Sequence, residues 1–194
     1  MSARVRLLPA FGLALLLTIG CGGEPPEKEM QQAQGALDAA RAAGADKYAT
    51  EEFQAATLAL ANARDAVTQR DYRLALDRAL DSRERAQNAA KMAADSKAAA
   101  RTEADRAINA AQTELNAVEA KLKAAENAKA SARLLAGPRR TLDAARTALQ
   151  EVRAMFDKGD YLDVPPRAKA ATASLPAVST ELEAAGGPAA RRRR

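Results

Sequence analysis

Apolar side chains recur in this chain at the spacing of packed helices. Phe53, Ala56, Leu60, Ala63 and Val67 step by three, four, three and four residues, and Leu142, Ala145, Leu149, Val152 and Phe156 repeat those steps. Between them, Ala104, Ile108, Ala111, Leu115 and Val118 alternate fours and threes, and Leu122 and Ala125 continue without a slip. Such stepping is the seam of a helix laid against other helices. The alanine-rich, aromatic-poor composition excludes a β architecture.

Glycine and proline place the breaks. Pro25 and Pro26 suit the start of a first helix running to Ala43, with Gly44 as its stop. Gly35 weakens it by about 1 kcal/mol relative to alanine. Residues 45–49 read as a loop, and Thr50 as the cap of a second helix whose first turn carries Glu51 and Glu52. The next glycine and proline are Gly137 and Pro138, so the span before them is helical. Further on, Gly159 ends a helix and Asp160 is placed to cap the next. Pro165-Pro166 forces a restart at Asp163 or Val164, and Pro176 is a possible kink.

The two seams lie 89 residues apart, and Arg64 matches Arg153 and Asp71-Tyr72 matches Asp160-Tyr161 at the same offset. This is the mark of an internal duplication. It also locates a turn that the first copy hides: Gly159 precedes Asp160-Tyr161, so Gln69 to Tyr72 reads as a tight turn without glycine. The competing reading is one unbroken helix from Thr50 to Ala136. With the turn, a third helix runs from Tyr72 to Leu135, about 95 Å at 1.5 Å per residue, and serves both copies. The fold expected is all-α: antiparallel helical hairpins around one long central helix, in two degenerate repeats, 27–103 and 104–186. The large anchors are Phe53, Leu60, Val67, Tyr72, Leu142, Leu149, Phe156 and Tyr161.

Composition supports long helices packed through small side chains. About a quarter of the 194 residues are alanine and aromatics are 3%. The chain has no histidine or tryptophan and one cysteine, Cys21, which excludes histidine-based catalysis, internal disulfides and CxxC chemistry. Of 30 basic residues, Arg4 and Arg6 lie near the start and Arg191, Arg192, Arg193 and Arg194 at the end. The remaining 24 stand against 25 acidic residues, so the body is neutral and offers no nucleic-acid face.

Residues 1–20 read as a signal peptide: Arg4 and Arg6, then an uncharged apolar run from Leu7 to Ile19, too short for a membrane span of about 20 residues. Leu17-Thr18-Ile19-Gly20-Cys21 resembles the lipobox of bacterial lipoproteins, with Thr18 where that pattern favours leucine. The resemblance implies acylation of Cys21, a tether over residues 21–26 and attachment to a membrane surface. An ordinary secretory signal that contains a cysteine is the competing reading. Gly22 after the cysteine resembles the outer-membrane form of the sorting rule.

Asp71-Tyr72 followed by Ala75 and Ala79 resembles the second-helix start of tetratricopeptide repeats, although the 89-residue period does not. Gly44-Ala45-Asp46-Lys47-Tyr48-Ala49, then Ala56 and Leu60, then Asp71-Tyr72, resembles an uncharacterised family of alanine-rich helical domains in bacterial envelope lipoproteins. The second copy departs from it at Gly137, which stands where the first has Tyr48, and at Pro165-Pro166. The resemblance implies a location and a fold.

Candidate chemistry is sparse. Glu51-Glu52, Asp81 with Glu84, and Glu114 with Glu119 read as solvated helix faces, and Tyr48, Tyr72 and Tyr161 as packing residues at turns. No phosphate-loop, dinucleotide or metalloprotease motif occurs, and no cofactor or metal is expected. Arg191 to Arg194 read either as a solvated tail over 187–194 or as an electrostatic contact to an anionic polymer or lipid surface. The function expected is a non-enzymatic, lipid-anchored periplasmic scaffold or spacer of the cell envelope that contacts an envelope protein or peptidoglycan. The alternative is a helical bundle that binds lipid or a small apolar ligand.

Overall fold

A computed structural model describes residues 23–186; Cys21, the signal-peptide segment and Arg191 to Arg194 lie outside the described residues. The described chain is all-α. It comprises α1 (Glu27–Ala42), α2 (Ala45–Tyr48), α3 (Thr50–Thr68), α4 (Tyr72–Asn127), α5 (Ala132–Lys158), α6 (Val164–Thr172) and α7 (Leu175–Gly186).

The central helix organises everything else. α4 has 56 residues, about 84 Å of rise, and its N-terminal half packs with α1 and α3 while its C-terminal half packs with α5, α6 and α7. Two separate cores result. One gathers Ala33, Leu37 and Ala40 of α1, Phe53, Ala56, Leu60 and Ala63 of α3, and Ala79, Ala86, Ala89 and Ala93 of α4. The other gathers Ala104 to Ala125 of α4, Leu135 to Val152 of α5, and Val164, Ala168, Leu175, Val178 and Leu182. Each is a three-helix bundle on a shared rod.

The tight turn at 69–72 is present. Arg70 adopts a left-handed backbone, φ 59°, and Gly159 does so at the corresponding place in the second copy, φ 86°. Both turns close in the same way: Asp71 N–H donates to the Ala66 carbonyl and Asp160 N–H to the Met155 carbonyl. Asp71 then caps α4, its carboxylate accepting from Leu74 N–H at 3.0 Å. Asp160 caps nothing, because an extra turn over 160–163 separates it from α6, which starts at Val164.

Like the Asp160 cap, three further local expectations need correction. Residues 45–48 form the short helix α2 rather than a loop. Thr50 does not cap α3: its hydroxyl donates back to the Asp46 carbonyl at 3.2 Å, and the cap position belongs to Ala49. Most instructive is the end of α4. It stops at Asn127 rather than Leu135, and Pro138 lies inside α5 on its buried face. The real break is carried by Lys129, φ 60°, with Lys129 N–H on the Glu126 carbonyl and Ala130 N–H on the Ala125 carbonyl. Pro138 forfeits one helical hydrogen bond near the start of α5, but the same face buries Leu135 and Leu142 against α4. Packing of that face outweighs the proline.

Candidate functional site at the waist

Where the two bundles meet, the rod loses its cover. α4's buried seam runs 75, 79, 82, 86, 89, 93 and resumes at 104, 108, 111, 115, 118; the same stepping places Lys97 and Ala100 between them. Lys97 is exposed and Ala100 half-buried, and none of residues 94–103 is buried. A lysine on a seam otherwise built from alanine, serine and aliphatic residues marks a place where no helix of this chain is meant to sit.

The tips of the two bundles bracket this stretch. From bundle one comes the Gly44–Tyr48 corner: Gly44 is left-handed, φ 88°, which turns the chain from α1 into α2 and brings Tyr48 across the gap. From bundle two comes the Phe156–Tyr161 corner, whose two rings meet edge to face at 5.2 Å between centroids and 61° between planes. The Tyr48 hydroxyl donates to the Gly159 carbonyl at 3.3 Å, a bond spanning 111 positions of sequence. Burial first, then the negative charge that Tyr161, Asp160 and Asp163 can carry, pushes the Tyr48 phenol above its ordinary value of 10.0.

Between these corners lies a groove of about 960 Å³ along α4. Ala94, Ala98, Phe156 and Tyr161 supply apolar lining, and Lys97, Arg101 and Asp105 supply charged lining. Neither cation makes an ion pair among the described residues, whereas Asp105, one turn beyond Arg101, is engaged with Asn109 at 3.1 Å. The groove therefore joins an apolar surface to two cations without ion pairs and to one carboxylate held by Asn109.

The sequence-derived anchors fall into two groups. Phe53, Leu60, Leu142 and Leu149 are buried, at 8, 2, 2 and 2% exposure. Val67, Tyr72, Phe156 and Tyr161 are half-buried, because they stand at bundle ends rather than in the middle. Phe156 and Tyr161 thus belong to the groove wall as well as to the core rim. Arg64 and Arg153, matched in the repeat, perform matched tasks: each donates to a glutamine on the neighbouring helix, Gln34 at 2.9 Å and Gln112 at 2.7 Å. Glu51 and Glu84 are exposed, whereas Glu52, Asp81, Glu114 and Glu119 are half-buried. Glu52 and Asp81 meet Arg85 at 3.5 and 2.9 Å, and Glu119 meets Arg146 at 2.6 Å. Among the described residues no acidic or thiol cluster is placed to hold a metal ion.

The sequence reading passed over Lys97 and Arg101, although the unbroken seam stepping held the signal. It also missed Ser82, fully buried, whose hydroxyl donates to the Ala56 carbonyl at 2.8 Å and ties α4 to α3. Among the described residues no helix is long and apolar enough to cross a membrane. No protein-family model, curated protein or solved structure matches the chain.

Proposed function

We propose that the protein is a lipid-anchored spacer of the bacterial cell envelope, attached through Cys21 and holding a contact surface away from the membrane. One observation carries this reading: the described chain begins and ends at opposite ends of the rod. Pro25 lies beside Val67 at the outer end of bundle one, whereas Glu183 reaches Lys121 near the far end of α4. About 74 Å of continuous helix, from Tyr72 to Lys121, separates those places. On this reading the anchor serves the outer end of bundle one, and an envelope protein or peptidoglycan is met at the far end. An alanine-lined interior in bundle one and an interior filled by leucine and valine in bundle two favour this over a bundle that opens around apolar cargo.

The deciding experiment is the intact mass of the protein extracted from bacterial membranes, paired with fractionation of a Cys21→Ser variant. The reading expects a chain starting at Cys21 with two or three acyl groups, and release of the variant into the soluble fraction. An unacylated mass, or a variant that stays with the membrane, overturns the anchor and with it the spacer.

A further inference from the structure

The waist groove has the size of a small-molecule site. Nine residues line it, against about 20–30 on each side of a standard protein interface. Its volume, about 960 Å³, lies at the upper end of the range of about 300–1,000 Å³ for small-molecule sites. Its chemistry is two-sided. Ala94, Ala98 and the rings of Phe156 and Tyr161 offer apolar contact. Lys97 and Arg101 stand one helical turn apart, so their like charges oppose each other unless an anion sits between them. Asp105, the groove's carboxylate, is already turned to Asn109.

We infer that this groove binds a single-chain anionic amphiphile, with the aliphatic stem on the alanines and aromatic rings and the anionic group between Lys97 and Arg101. The charge complementarity selects the head and the apolar lining selects the stem. A shared anion supplies both cations with charge-assisted hydrogen bonds. The inference goes beyond the spacer reading and does not depend on the anchor.

The test uses the full chain carrying Cys21→Ser, so that no acyl group of its own competes. Dodecanoate, below its micelle concentration, is titrated by calorimetry alongside acetate, which lacks the stem, and dodecyl maltoside, which lacks the charge. One saturable dodecanoate per chain is expected, with much weaker binding of both controls. K97Q/R101Q should weaken dodecanoate by about tenfold or more, and A98W, on an exposed face of α4, should block the groove with the helix content unchanged. Four results would each overturn the site: dodecyl maltoside binding as well as dodecanoate, acetate binding as well, K97Q/R101Q binding like the parent, or A98W retaining full binding. Capture of an acidic peptide in place of dodecanoate would overturn it equally.

Discussion

The two bundles solve one packing problem with different side chains. Ala75, Ala79, Ala86, Ala89 and Ala93 of α4 are buried, and so, each 89 positions later, are Val164, Ala168, Leu175, Val178 and Leu182 of α6 and α7. In bundle one the third helix is unbroken and its buried positions are alanine apart from Ser82, which lets helices approach at the short end of the usual axis separation. Ser82 uses that closeness, since its short side chain reaches the Ala56 carbonyl of the next helix. In bundle two the third helix is interrupted between Thr172 and Leu175, so it cannot lie as one straight ridge. Larger side chains fill the distance. An exact repeat of residues is therefore unnecessary for a repeat of structure; what is kept is which positions face inward.

The largest expected effects test that division. Leu149→Ala and Leu175→Ala in bundle two remove nearly fully buried side chains and should each destabilise by about 2–5 kcal/mol. Denaturant melts followed by circular dichroism measure this. A loss below about 0.5 kcal/mol, typical of a surface site, would refute the seam register. The reverse change belongs to bundle one. Ala86→Leu should destabilise by about 1–3 kcal/mol through overpacking, because Ala86 is fully buried where helices lie close. If Ala86→Leu were neutral, the contrast between a tight bundle and a filled one would fail.

A smaller effect sharpens the comparison of the two turns. Arg70 and Gly159 share the left-handed conformation, but only the second has the residue suited to it. Arg70→Gly should stabilise bundle one by about 1 kcal/mol, and Gly159→Ala should cost bundle two about as much. A Cβ at Gly159 would meet no atom within 4 Å, so its cost is one of backbone conformation alone. Equal and opposite shifts in the melts are expected; shifts of the same sign would mean that the turns differ in kind.

These turns also show what a sequence of this composition reveals. The long rod and the hairpin at 69–72 were legible, because Gly159 in the second copy exposed what Arg70 conceals in the first. The end of α4 was not. Lys129 has no sequence mark of a left-handed residue, and Gly137-Pro138 drew the break several residues too far along. Breaker residues report local preference, whereas burial of Leu135, Pro138 and Leu142 on one face of α5 is a tertiary term. The groove was half legible. Lys97 falls on the seam by counting alone, but its openness depends on where two bundle tips stop, which the repeat does not specify.

The smallest effect concerns the hydrogen bond that, among the described residues, joins those tips, Tyr48 to the Gly159 carbonyl. Because the folded surroundings raise the Tyr48 pKa above its ordinary 10.0, the phenol binds its proton more tightly in the folded state than in the unfolded one. Its contribution to stability is then full below pH 10 and is lost as pH rises through the folded value. Tyr48→Phe removes both the bond and the titration. The stability gap between parent and variant should therefore be constant from pH 7 to 9 and change above about pH 10. Denaturant melts across that range measure it, with small-angle scattering to show whether the bundles splay when the phenol ionises. A gap independent of pH would mean that Tyr48 spans the waist by packing alone.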